Sequence, residues 1–235
     1  MRALKRLALI AALLPAAVAA ETRQPVTQAL PGEAAVGRLV VSGRAMCTGA
    51  LISADTVLTA AHCLYDQRSG KRVQMSRIEF QAGLKAGKAV AVRSVVRASV
   101  HPQYEHRSKG NAQVGSDLAL LKLSRPISKN NVLPMRYGAN LSSGDMLGVL
   151  SYTVSNRADP ILEYPCRVLA RQGETLVMSC EVEFGASGAP VLALTKGRNP
   201  AVVSVVSAKA AMGGQNVSVG TLLSADTLHQ MITGG

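Results

Sequence analysis

Short runs of apolar and β-branched residues, separated by turn residues, recur along almost all of this chain. Residues 36–42 alternate in polarity and end at Gly43-Arg44; residues 50–52 and 56–59 follow, split by Ser53-Ala54-Asp55. Residues 73–82, 89–100 and 118–123 come next, bounded by clusters of Gly, Lys and Pro. After Pro126 the polar stretch Ser128-Lys129-Asn130-Asn131 interrupts the pattern, and it resumes at residues 146–152, 166–170, 175–180, 190–194, 201–208 and 217–222. Runs this short, with no helical segments between them, predict an all-β chain built as an antiparallel barrel or a sandwich. Only residues 224–232 read as a helix: Ser224 can cap the N-terminus, Asp226 suits the first turn and Gly234 follows the end.

The chain has 235 residues, enough for one large all-β domain or two small barrels, since such folds run to roughly 200–250 residues. The polar stretch after Pro126 sets the expected boundary, with residues 21–130 on one side and 131–235 on the other. Trp is absent and aromatics make up 3%, so Val, Leu, Ile and Ala must fill the core.

Residues 1–20 lie outside the expected fold. Arg2, Lys5 and Arg6 give a basic start, residues 7–14 an apolar centre, and Val18-Ala19-Ala20 a small-residue cleavage site, which together predict a secretory signal peptide. The apolar run is shorter than the roughly 20 residues that span a bilayer. Cleavage near Ala20, a start near Glu21, a secreted or periplasmic location and no transmembrane segment are expected. Removing Arg2, Lys5 and Arg6 lowers the formal charge from +12 to +9. That excess favours anionic surroundings. It does not predict specific nucleic-acid binding, because no basic stretch is interleaved with stacking aromatics.

An exported chain with four cysteines is expected to form two disulfides. Three pairings are possible, and Cys47–Cys63 with Cys166–Cys180 keeps each loop within one half of the chain. The cysteines lack the close spacing of a zinc site, and no His-Glu-x-x-His segment occurs. Neither a metal nor another cofactor is expected.

Three segments carry chemistry. Thr59-Ala60-Ala61-His62-Cys63 sets a histidine in a small apolar run beside a cysteine, Ser116-Asp117 places an acid at the mouth of the apolar run 118–123, and Gly185-Ala186-Ser187-Gly188-Ala189-Pro190 holds a serine among glycines. A neutral imidazole can take a serine proton as the hydroxyl attacks a carbonyl, and a buried carboxylate can fix the imidazole's tautomer. Alone, each residue has an ordinary structural reading: a packed histidine, a turn acid, a serine in a glycine-rich turn. His101 reads as structural, His106 as solvated and His229 as surface or packing.

Taken together, the segments and their order His, Asp, Ser resemble the chymotrypsin/trypsin-like serine peptidases. The resemblance covers nearly the whole chain after residue 20. It implies two antiparallel six-stranded β-barrels with a short C-terminal helix, His62 and Asp117 from the first barrel and Ser187 from the second. It implies a catalytic triad of His62, Asp117 and Ser187, an oxyanion hole from the Gly185 and Ser187 backbone N–H groups, a bridge between Cys47 and Cys63, and protein or peptide substrates. A monomer is expected. By register with the family, Ser207 lies near the acid, Glu181 at the base of the specificity pocket and Lys209 on its wall. A carboxylate there favours Lys or Arg at the cleaved position, and Lys209 opposes it.

The chain also departs from the family pattern. Ala186 stands where trypsins have aspartate, Ala189 where they have glycine, and no Ile-Val-Gly-Gly activation sequence is present. In trypsins that aspartate pairs with a newly cut N-terminal amine. The loss of both partners resembles bacterial branches such as the glutamyl endopeptidases and predicts activity without that cleavage. The same loss, with the high charge, motivates a second reading: a catalytically silent homologue that binds peptides or an anionic envelope component.

Overall fold

The computed structural model describes residues 22–25, 30–107, 111–138, 141, 145–194 and 199–233. The expected signal peptide, its cleavage site and Gly234 lie outside them. The strands of the first half are β1 (Thr22–Pro25), β2 (Val36–Val41), β3 (Ala45–Leu51), β4 (Thr56–Thr59), β5 (Ile78–Ala82), β6 (Ala91–Val100) and β7 (Ala119–Leu123), with a short helix α1 (Asn111–Gly115) before β7. Those that follow are β8 (Arg136–Tyr137), β9 (Leu147–Ser151), β10 (Ile161–Cys166), β11 (Val168–Gln172), β12 (Thr175–Met178), β13 (Pro190–Ala193), β14 (Ala201–Met212) and β15 (Gln215–Leu222), and the helix α2 (Ala225–Thr233) comes last.

The order β2-β3-β4-β7-β6-β5 closes a six-stranded barrel. Alternation along β2 and β5 turns Leu39, Val41, Ile78 and Phe80 inward, where they meet Leu51, Leu58 and Leu121. Burying side chains of this size contributes about 1.5–3 kcal/mol each. The run from residue 73 does not become strand until Ile78. Val73 N–H instead donates to Leu64 O at 2.8 Å, and Met75–Arg77 form a 3₁₀ turn.

The eight strands of the second half and β1 form a nine-stranded sheet, ordered β1-β10-β9-β13-β14-β15-β12-β11 with β8 added parallel to β14. It therefore has more strands than the six expected, and its ladder does not close. Its two sides are linked covalently next to β1: β10 runs into β11 through Arg167, and Cys166 is bonded to Cys180 just past β12. Arg167 N–H and Ser179 Oγ add a 2.8 Å hydrogen bond at the same seam. Leu147, Val149, Leu176, Met178, Val191 and Val206 fill the interior. The sequence pattern hid β10 because Pro160 precedes it and Glu163 and Pro165 interrupt it, features that demote a strand. Its ladder to β9 shifts register between Glu163 and Cys166, where Pro165 sits, and buried Glu163 accepts the Glu181 N–H.

Both expected disulfides form, Cys47–Cys63 and Cys166–Cys180. They close loops with sequence separations of 16 and 14. A bridge of that length contributes about 3 kcal/mol in the chain-entropy model. Replacing Cys166 and Cys180 by alanine is expected to lower Tm by about 6–12 °C, measured by calorimetry. An unchanged Tm would show that the seam does not hold the sheet.

The helix α2 returns to the first barrel, where Leu228 and Met231 join its core beside β6. Among the described residues no helix is long and apolar enough to cross a membrane.

Candidate active site

The first barrel's register sets the position of two side chains. In β4 and β7, Thr59 pairs with Ala119, so the segments leaving β4 and entering β7 emerge side by side. Ala60 and Ala61 are fully buried, small enough to let the chain tuck into a 3₁₀ turn, Ala61–Leu64, directly after β4. The Cys63 bridge ties that turn to β3. His62 thereby faces Asp117, which is 3% exposed. Asp117 Oδ1 accepts the His62 backbone N–H at 2.9 Å, and Oδ2 lies 2.7 Å from Nδ1. Asp117 thus fixes both the backbone and the ring of His62.

A second-half residue completes the acid's shell. The β14–β15 ladder shifts register between Val206 and Ala208, and Ser207, at that bulge, donates its hydroxyl to Asp117 Oδ2. Re-aiming a side chain in this way is a common role for a bulge.

The Ser187 loop precedes β13 and is docked on the first barrel. Thr48 N–H donates to Ser187 O at 2.8 Å, and Gly188 N–H donates to Val206 O at 2.8 Å. Gly188 has φ 80°, and a Cβ there would fall 2.1 Å from Thr59 Oγ1 and 2.4 Å from Thr48 O, so only glycine allows this approach. The contact is with Thr48 on β3 and with Thr59 and Ala60, just ahead of His62, so the Ser187 loop and the histidine turn share one part of the first barrel. Among the described residues, neither the Gly185 nor the Ser187 N–H donates to a protein acceptor, and no hydrogen bond joins Ser187 Oγ to His62 Nε2. That nitrogen lies 3.9 Å from Cys63 Sγ. Cys47, His62 and Cys63 lie close together, but the two sulfurs are bonded to each other and offer no thiolate to a metal.

Thr48 was not singled out by the sequence, although it sits in the Cys47-Thr48-Gly49 segment. It is fully buried; its hydroxyl donates to Gly185 O at 2.9 Å and accepts the Tyr152 N–H at 3.0 Å. It joins the first barrel, the Ser187 loop and the end of β9. Thr48→Val keeps the shape and strands both partners, at a cost of about 1–3 kcal/mol. Tm should fall, and turnover should drop on the order of 10²-fold because the Ser187 loop loses the side-chain bond to Gly185 O, one of its anchors. A variant with wild-type Tm and turnover would remove Thr48 from this role.

Ala186 is fully buried and packs in the second core. Its N–H donates to Glu183 O at 3.1 Å. Glu181 is exposed and accepts from Asn216 Nδ2, and Lys209 Nζ stands 4.3 Å from the centre of the Phe184 ring. Glu181, Glu183, Lys209 and Asn216 line one cleft of ≈ 380 Å³. The structure therefore groups Glu181 with Lys209 in one cleft.

The other histidines divide. Buried His101 accepts the Gln103 N–H at 3.1 Å through Nδ1, and His229 is exposed. His106 is not the solvated residue expected: its ring stacks on Tyr65 at 4.0 Å and its Nδ1 bonds to the Tyr104 hydroxyl. The polar loop gave no sign of these aromatic partners, because Tyr65 comes from another part of the chain.

Burial pushes the His62 pKa down, but attraction to Asp117 and the hydrogen bond between them outweigh it, so the pKa is raised above 6.5. The pair's stabilisation is therefore complete below about pH 6.5 and fades as pH rises through the higher folded value. A base function runs the other way, because it needs neutral imidazole. kcat/KM should rise with pH, with a midpoint above 6.5, while Tm loses the pair's contribution over the same interval. A midpoint below 6.5 would contradict this electrostatic balance.

One closed six-stranded barrel, a second β-sheet and a short C-terminal helix make up a chymotrypsin-like fold. A structure titled "Structure of Glu endopeptidase in complex with MPD" superposes with a TM-score of 0.74 at 18% identity, covering 93% of this chain and 99% of that one. A thermostable serine protease, AL20, from an extremophilic microorganism gives a TM-score of 0.67 at 18% identity, covering 86% and 97%. The chain belongs to the trypsin family, whose pattern, described as Trypsin, matches residues 26–225. Trypsin-1 of Gadus morhua is 28% identical over 144 residues, 53% of this chain and 55% of that protein. A trypsin-like protease of Streptomyces glaucescens is 37% identical over 83 residues, covering 35% and 27%. The chain thus matches about half or less of the length of these relatives.

Proposed function

We propose that this protein is a secreted or periplasmic serine endopeptidase working through Ser187, His62 and Asp117. One observation carries the reading: the His62–Asp117 pair and the Ser187 loop both pack on the β3–β4 part of the first barrel, with the Gly185 and Ser187 N–H groups left without acceptors among the described residues. In the proposed mechanism His62 Nε2 takes the Ser187 proton as Oγ attacks the scissile carbonyl. Asp117 holds Nδ1–H and stabilises the imidazolium. The two N–H groups receive the oxyanion, and one such donor contributes roughly 3–4 kcal/mol to the transition state. The imidazolium then protonates the leaving amine, and water repeats the sequence on the acyl-enzyme. The two disulfides suit an oxidising compartment.

We further propose that activity does not wait on N-terminal trimming. Ala186 carries no carboxylate for a new amine, and the loop is already held by Thr48 and Val206. Cleavage ahead of Leu39 would cut β2, which pairs on both sides within the barrel. For the cleaved position, Glu181 favours Lys or Arg, while Lys209 is drawn over Phe184.

Digestion of casein and of a mixed peptide library by protein lacking only residues 1–20 tests all three points. Cuts after Lys and Arg are expected. Cuts after acidic residues would reassign the cleft to Lys209. Activity that appears only after further trimming would overturn the second proposal. The open contact between Ser187 and His62 favours one alternative, a silent homologue that binds peptides or an anionic envelope component. Salt-sensitive binding without turnover would establish it.

A further inference from the structure

A second cleft lies beyond the Cys47–Cys63 bridge. Arg44, Arg68 and Arg77 line a groove of ≈ 400 Å³ with Tyr65 and Asp66. Among the described residues, none of the three guanidinium groups donates to a protein acceptor. The groove's one carboxylate is committed locally, Asp66 Oδ1 accepting Ser69 N–H at 2.7 Å, Ser69 Oγ at 2.8 Å and Arg68 N–H at 3.2 Å. Unlike the scattered Lys and Arg elsewhere, these three converge on one concave surface. Arg107 lies over the adjoining loop, its guanidinium carbon 2.2 Å from where a Cβ on Gly70 would be.

The groove is connected to the candidate active site through β3 and through the histidine turn. Thr48, which bonds to Ser187, and Ala45, which lines the groove, both belong to β3. Three residues of strand span about 10 Å. On the other side, Tyr65 N–H donates to His62 O at 3.2 Å, so the groove wall continues directly from the histidine turn. The proposed mechanism has His62 Nε2 protonating the leaving amine, and Nε2 sits toward Cys63. A leaving fragment that follows this side of the ring would pass the bridge and reach the arginines two to three residues beyond the cut.

We infer that this groove selects substrates with Asp or Glu at the second and third positions after the scissile bond, read by Arg44, Arg68 and Arg77. The inference rests on the endopeptidase reading. Guanidinium groups suit the task because they pair bidentately with carboxylates.

The test uses two fluorogenic peptides that are identical except for Ala-Ala or Glu-Glu at those positions. At low salt the acidic peptide should show a kcat/KM about tenfold higher, with the gap closing at high salt as exposed charges are screened. The triple variant R44Q/R68Q/R77Q, with Tm measured to confirm folding, should hydrolyse the Ala-Ala peptide as the wild type does and lose the preference. Equal rates in the wild type, or a preference surviving the triple variant, would overturn the inference. If neither peptide is cleaved, the endopeptidase reading fails, and binding of the same peptides to Ser187→Ala still decides for the groove. Acid-selective, arginine-dependent anisotropy supports it, and unselective binding overturns it. Arginine-dependent binding to vesicles of anionic phospholipid, with the peptide preference unchanged in the triple variant, would assign the arginines to a lipid surface instead.

Discussion

Ser187→Ala should lower kcat on casein-derived peptides by about 10⁶-fold, the scale on which removing a triad nucleophile acts. The substitution removes only the hydroxyl, and that hydroxyl makes no hydrogen bond within the described residues. The loop's own anchors, from Thr48 to Ser187 O and from Gly188 to Val206, use backbone atoms and survive. Tm should therefore move by no more than the effect of about 0.5 kcal/mol expected at a site without special contacts. Lost turnover with an unchanged Tm marks a chemical role. Lost turnover with a collapsed Tm would mark a structural one.

Asp117→Asn should lower kcat by about 10⁴-fold in a triad of this kind. The carboxylate now accepts from the His62 backbone N–H, the His62 ring and Ser207. An asparagine keeping its carbonyl oxygen on the backbone N–H turns its NH₂ toward Nδ1. The ring must then accept there and carry its proton on Nε2, where it can no longer receive one from Ser187. The pH profile gives a second readout. Asp117 raises the His62 pKa against the opposing effect of burial, so its loss should move the activity midpoint to lower pH. Residual activity with an unmoved midpoint would detach Asp117 from His62.

The all-β class and the two disulfides could be read before any coordinates, because period-two runs, turn residues and cysteine spacing are local signals. The strand at Ile161–Cys166 could not, because its prolines and buried Glu163 are tolerated only beside a register shift that the ladder supplies. The tip of the β14–β15 ribbon, residues 209–212 and 215–216, was also missed, since it is exposed throughout and carries no alternation. In the candidate site, the motifs named His62, Asp117 and Ser187, and the Thr59–Ala119 register explains why two of them face each other. Thr48 was invisible for a different reason. Its importance lies in bonds to Gly185 and Tyr152, partners more than a hundred residues away in sequence. The arginine groove likewise gathers residues from β3's entry, the histidine turn's exit and the approach to β5.

The central claim is that folding makes Ser187 an activated nucleophile. Treating the intact protein with a fluorophosphonate probe and mapping the adduct by mass spectrometry tests it most directly. One phosphonyl group on Ser187 is expected, acquired faster as pH rises through the His62 midpoint and absent in His62→Ala. A folded wild-type protein that takes up no label, or takes it up at another residue with Ser187 unmodified, would contradict the account.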